Sequence, residues 1–331
     1  MCYSALVEAD FQSLTRKEPV TVDLAAFEAM FEARLSMKID IPKALETNFN
    51  VPRDPQERRI RELIETYKSQ SAAGYSVDIE KYRKKLADAE RRLAKKTSKT
   101  GLEDQRKATE GISWCEHKIK DLSRIERKEN DSRIYPKWYA PVVVLEGNER
   151  VIRPMRYLCR PENMPATLFS PEYRREVPFE VAREGCYNAR RDNLERFWRK
   201  QFTAKHGYMV IHSFFENVEL HKYEHRELDV ANGEKSKNLV IHFNPKMPEP
   251  MKVACLWSRV ERDEGFPLES FAAITDEPPP EVAAAGHDRC LIPLTAPSIE
   301  SWLRPIDGQF EAMYAALDNR VRPFYEHRLA A

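Results

Sequence analysis

Apolar residues recur along the chain with two different periods, and the change of period divides it. Over residues 21–36, Leu24, Phe27, Phe31 and Leu35 fall three or four positions apart. That is the spacing of one helix face, and Thr21 or Asp23 is suited to cap its start. Residues 53–130 carry three such stripes: Ile60, Leu63, Ile64 and Tyr67; then Ile79, Tyr82, Leu86, Ala89 and Leu93; then Ile112, Cys115, Ile119, Leu122 and Ile125. Residues 69–74 and 96–101, rich in Ser, Thr, Ala and Gly, read as loops between the stripes. This predicts a helical hairpin or a three-helix insertion. From residue 139 the period shortens. Val142-Val143-Val144-Leu145 predicts a strand over 139–146, with a turn at Gly147-Asn148 and a returning strand over 151–158. Residues 160–178 hold four prolines and read as a long loop. A short helix is expected over 193–205, with Leu194, Phe197, Trp198 and Phe202 inward. Further strands are expected at 208–212, followed by the segment Ser213 to Asn217, and at 239–243, 251–260, 271–275 and 290–294. Helices are expected at 297–303, capped by Ser298, and at 310–317. No internal repeat is visible. The pattern predicts an α+β chain: one domain over 1–331 with a mostly β core and peripheral helices, interrupted at 53–130.

Composition narrows the classes of function. Among 331 residues, 54 Lys and Arg face 53 Asp and Glu, for a net charge of +1. A polycation is excluded, so any nucleic-acid surface is a local patch. The basic runs at 81–85 and 91–96 read either as phosphate contacts or as a solvated face balanced by Glu and Asp; the solvated face is favoured. No apolar run is long enough to span a membrane, and Glu8 and Asp10 interrupt any export signal, so a cytoplasmic protein is expected. The six cysteines are scattered, without a Cys-x-x-Cys pair, and the five internal ones are expected to be small buried hydrophobes. His221 and His225 are four apart but lack the glutamate of a zinc-protease helix, so no metal and no cofactor is expected.

The chain begins Met1-Cys2-Tyr3-Ser4. With Met1 removed, Cys2 presents an α-amine and a thiol on adjacent carbons. The amine condenses with an aldehyde and the thiol closes on the imine, giving a thiazolidine. Both groups are partly nucleophilic near neutrality, their ordinary pKa values lying near ~7.8 and ~8.5. Taken alone, a cysteine at this position is more often incidental.

Three other segments change that reading: Cys186-Tyr187-Asn188-Ala189-Arg190, Ser213-Phe214-Phe215-Glu216-Asn217 and Gly286-His287-Asp288-Arg289. With the first four residues, the chain resembles the SRAP family, the SOS response-associated peptidase-like proteins that crosslink to abasic sites in DNA. The resemblance covers about residues 1–52 and 139–310, including a weaker segment at Asn50-Val51-Pro52. It implies a single α+β domain with a barrel-like, mainly antiparallel β core. It also implies covalent capture of abasic sites in single-stranded DNA by Cys2 after Met1 removal, with autoproteolytic processing and strand-cleaving lyase chemistry as accompanying activities. By resemblance, Cys2 is the nucleophile, Asn188 its neighbour, Glu216 the acid/base and His287 the active-site histidine. Arg190 holds phosphate; Arg191, Arg156 and Arg160 are further candidates for DNA binding. The chain departs from the family in four places. Tyr3 and Ser4 replace a usual Gly-Arg, Asn217 replaces a usual tryptophan, a base-wedging Gly-Trp is not evident near 156–163, and Cys290-Leu291-Ile292 precede Pro293. Single-stranded DNA is the expected partner, with a protein partner for the insertion left open and a monomer favoured. The alternatives are a cysteine peptidase acting in trans, using Cys2, His287 and Asn188 or Glu216, and a noncatalytic binding module.

Overall fold

The computed structural model describes residues 3–262 and 266–330, so Cys2 lies outside the described residues. The N-terminal part holds β1 (Ser4–Val7), α1 (Phe11–Lys17), β2 (Val20–Val22), α2 (Leu24–Ala33) and α3 (Lys43–Glu46). Two long helices follow, α4 (Pro55–Lys95) and α5 (Lys99–Leu122). The strands are then β3 (Arg133–Ile134), β4 (Tyr139–Glu146), β5 (Glu149–Tyr157), β6 (Thr167–Ser170) and β7 (Arg175–Pro178). Short helices α6 (Phe179–Ala182) and α7 (Arg199–Phe202) flank β8 (Asn188–Arg190) and lead to β9 (His206–Glu219) and α8 (Leu220–Tyr223). The chain ends with β10 (Asn238–Pro245), β11 (Met251–Val260), β12 (Leu268–Asp276), α9 (Pro280–Ala284), β13 (Cys290–Leu291), α10 (Ala296–Trp302), α11 (Phe310–Asp318) and β14 (Tyr325–Leu329).

Five strands close on themselves. The first half of β9 pairs with β4 at Tyr208↔Val143 and with β11 from His206↔Leu256 to Ile211↔Met251. β11 pairs with β12, β12 runs parallel to β5, and β5 pairs with β4, completing the ring. The second half of β9 leaves the ring and is flanked by β1 and β10. Both faces of the ring strands are buried. Val142, Val144, Met209, Ile211, Val253, Cys255, Phe271 and Ala273 meet in one cluster inside the ring. The alternate residues Val143, Tyr208, Ala254, Leu256, Ala272 and Ile274 pack outward against helices, with Phe27, Phe31 and Trp302. This double burial is why these strands read as continuous apolar runs rather than alternating ones.

The helix cap at Asp23 is as expected, its side chain accepting from Ala26 N. Several other local expectations are corrected. Residues 69–74 form no loop: α4 is continuous for 41 residues, about 60 Å at 1.5 Å per residue. Ser, Gln and Ala are ordinary helix residues, and one glycine costs only about 1 kcal/mol. The two long helices therefore make a hairpin, turned at 96–98, where Ser98 caps α5 by accepting from Gly101 N. Residues 193–205 are mostly turns, with only Arg199–Phe202 helical. Asn193 O accepts from both Arg196 N and Trp198 N, and the buried Leu194 and Trp198 reach the core without a helix. Ser298 is not a cap: it lies inside the first turn of α10 and donates to Asn319 O at 2.9 Å. The 160–178 loop contains the hairpin of β6 and β7.

Candidate active site

The alternation of β9 puts Phe214, Glu216 and Val218 on one face. Phe214 and Val218 belong to the apolar cluster inside the ring, so the carboxyl between them is carried inward with them and is 1% exposed. Beside it β1 pairs antiparallel with β9, Ser4 opposite Phe215. The Tyr3 N–H donates to Phe215 O at 3.1 Å and to Glu216 Oε2 at 3.2 Å. Tyr3 N is the atom through which the chain continues toward residue 2.

His287 approaches from the other side. Its segment leaves α9 through Gly286, whose φ of +85° only glycine adopts readily. His287 is 8% exposed, with Nε2 3.4 Å from Glu216 Oε2. Burial pushes the Glu216 carboxyl well above its ordinary value, against the pull of the Tyr3 amide. Burial also lowers the His287 imidazole to about 4. Burial thus works against the charged form of both groups, raising the carboxyl and lowering the imidazole. The ring tautomer follows from its second nitrogen. Nδ1 lies 2.8 Å from Arg289 O and 3.3 Å from Arg289 N, and the shorter contact makes Nδ1–H the donor. Nε2 is left with its lone pair toward Glu216, 3.4 Å away.

Asn188 opens β8 and is 5% exposed. β8 lies parallel to β12 at Ala273↔Asn188, while β13, directly after the His287 segment, pairs with β12 at Thr275 and Asp276. The two segments thus flank the end of one strand, and Arg289 reaches Asp192 at 3.8 Å. Arg190 is half-exposed and bound through Nε and Nη2 to Asp192, at 3.0 and 2.5 Å. Arg191 is paired with Asp276 at 3.3 Å and with Asp318. Arg156 is mostly buried and paired with Glu180 at 2.7 Å. Arg160 is half-buried, its amide N–H donating to Ser270 Oγ at 3.1 Å. Structure therefore brings Glu216 and His287 together with Tyr3 at one point and sets β8 nearby. It commits Arg191 and Arg156 to internal ion pairs.

Three residues linked to Tyr3 and Ser4 were not singled out from the sequence: Arg133, Tyr135 and Trp138. Arg133 donates to Ser4 Oγ from Nε and Nη2 and lies 3.6 Å over the Phe215 ring. The available signal was Tyr-Pro-Lys-Trp, a proline turn between two aromatics just before a strand. Among the described residues no group of His, Cys, Asp and Glu is placed to hold a metal ion. No helix of the described residues is long and apolar enough to cross a membrane.

A five-strand β ring with peripheral helices, and a buried carboxyl–imidazole pair at its edge beside β1, defines the class: a mixed α+β protein with a buried Glu–His pair where β9 leaves the ring. The family model for the SOS response associated peptidase (SRAP) matches residues 92–329, and the chain belongs to that family. Membership links it to DNA damage and to peptidase-like proteins. The match contains Asn188, Glu216 and His287; it begins near the end of α4, takes in α5, and does not reach residues 1–52. No curated protein matches the chain. Three solved structures are similar over 60% of this chain. A protein from Bacteroides thetaiotaomicron is 15% identical over 77% of its own length, with a TM-score of 0.43. A protein from Bordetella bronchiseptica is 16% identical over 87%, with 0.42. A phage-related protein from Bordetella bronchiseptica is 13% identical over 80%, with 0.42.

Proposed function

We propose that this protein captures abasic sites in single-stranded DNA through Cys2 after Met1 is removed. The observation that supports this most is the buried Glu216–His287 pair beside Tyr3 N, one residue along the chain from Cys2. The Cys2 α-amine attacks the C1′ aldehyde of the opened sugar and gives a carbinolamine. Its hydroxyl takes the Glu216 proton and leaves as water, forming the imine. The Cys2 thiol then adds to C1′ as its proton passes to the nitrogen, closing the thiazolidine; the sum is aldehyde plus aminothiol giving ring plus water. Having both nucleophiles on one residue makes closure intramolecular. Neutral His287 accepts and returns the proton that Glu216 shuttles. Asn188 orients the amine without adding charge. Arg190 exchanges Asp192 for phosphate, which positions the strand without reading its sequence.

Intact mass of the purified chain, with and without an abasic single-stranded oligonucleotide, tests this. The expected result is a chain lacking Met1 that gains one oligonucleotide less one water. A heat-stable adduct that persists in Cys2→Ala, or a mature chain that retains Met1, overturns the proposal.

A further inference from the structure

Residues 135–138 form a tight turn of unusual composition. Trp138 N–H donates to Tyr135 O at 3.0 Å, Pro136 occupies the second position, and Lys137 the third, with φ +78°. This is the type II pattern, whose third position favours glycine or asparagine. A lysine there is strained, yet the turn is fixed from both sides. Lys137 N–H donates to Tyr157 O, and Trp138 O accepts from Tyr157 N at 2.7 Å. The lysine side chain is exposed, and it has no carboxylate partner among the described residues. A strained backbone that keeps a charged side chain pointing to solvent calls for a reason outside the fold.

The surroundings supply one. Tyr135 touches Tyr3 edge-on at 5.9 Å between ring centroids and Trp138 at 5.3 Å, and both of its neighbours are half-buried. Two positions before Tyr135, the half-buried Arg133 guanidinium donates, among the described residues, to a neutral hydroxyl, Ser4 Oγ, and faces the rings of Phe215 and Tyr135. It too has no carboxylate partner among the described residues, in a chain where most buried arginines are paired. Two uncompensated cations thus alternate with three aromatic rings, and the series begins at Tyr3, whose amide bonds Glu216.

We infer that Arg133, Tyr135, Lys137 and Trp138 form a binding edge for single-stranded nucleic acid running into the Glu216 site. The rings offer stacking surfaces to unpaired bases, and the two cations take the phosphates between them. Alternating aromatic and basic groups suit a single strand, whose bases are free to stack, better than a duplex, whose bases are already covered. This edge rests on the proposed function for its ligand class, but it is separable from the chemistry.

The test is fluorescence anisotropy of a labelled, undamaged oligothymidylate titrated with the full chain across a range of salt. No covalent step is involved, so a failure of abasic capture leaves the measurement readable. Lys137→Gly relieves the strained φ and is expected to raise Tm. It is also expected to weaken binding several-fold and to lower the salt slope by about 0.7. Trp138→Leu, which keeps an apolar side chain, is expected to weaken binding by about fivefold or more with little change in salt slope. Unchanged affinity and salt slope in both folded variants overturn the inference, as does tighter binding of a duplex than of the single strand.

Discussion

The helical hairpin and the β ring treat charge in opposite ways. On α4 and α5 ionised side chains are abundant and exposed, and many pair at helical spacing: Lys81 with Asp78, Arg83 with Glu80, Arg106 with both Glu103 and Glu110. Water screens such pairs, and each contributes little. At the ring's edge one carboxyl and one imidazole face each other, both nearly sealed from water, and burial shifts both away from their ordinary values. Dense charge therefore marks the part of the molecule where ionisation is least perturbed, and a single acid set between Phe214 and Val218 marks where burial perturbs it strongly.

That contrast is testable. The largest effect is expected at Glu216. Glu216→Gln keeps the shape of the side chain and removes the transferable proton, so adduct formation with abasic single-stranded DNA should slow by about a hundredfold or more. An unchanged rate in quenched time courses removes Glu216 from the mechanism. Next comes the pH dependence of stability. The unfolded His287 imidazole takes up a proton near 6.5, whereas the native one does so only near 4. Stability is thus lost as pH falls from 6.5 toward 4. His287→Asn should flatten that limb by about 2 kcal/mol between denaturant titrations at pH 7 and pH 5. Glu216 acts with the opposite sign. Its native form keeps a proton that the unfolded chain gives up above 4.5, so its contribution falls as pH rises beyond that value. In Glu216→Gln the decline above 4.5 should be shallower. The smallest effect belongs to the hairpin. A methyl group at Gly74 meets nothing within 4 Å, so Gly74→Ala should stabilise α4 by about 0.5–1 kcal/mol, read as slower amide exchange, and leave adduct formation untouched.

Legibility from sequence followed the same division. The strands at 139–146 and 251–260 were readable to the residue because burial on both faces makes them long apolar runs. The motif segments located Glu216 and His287, and residue type suggested their chemistry. The distance between them was not legible, since it depends on where β9 leaves the ring and where α9 ends. Loops were misplaced where composition outweighed packing: Ser69 to Gly74 look like a linker but lie within a helix. The apolar residues of 193–205 satisfied a helical pattern while folding as successive turns. Arg133 and the 135–138 turn escaped notice because their significance lies in partners they lack, and a sequence does not display missing partners.

The backbone at Gly286 sits hard against the segment that continues from β9. A Cβ there would stand 3.0 Å from Lys222 C and Tyr223 N. One run of chain, from Glu216 through Tyr223, therefore acts as both workpiece and jig: it carries the acid and gauges how far the imidazole can be advanced toward it. A single added methyl at Gly286 would act as a shim, resetting that gap without touching either reacting group.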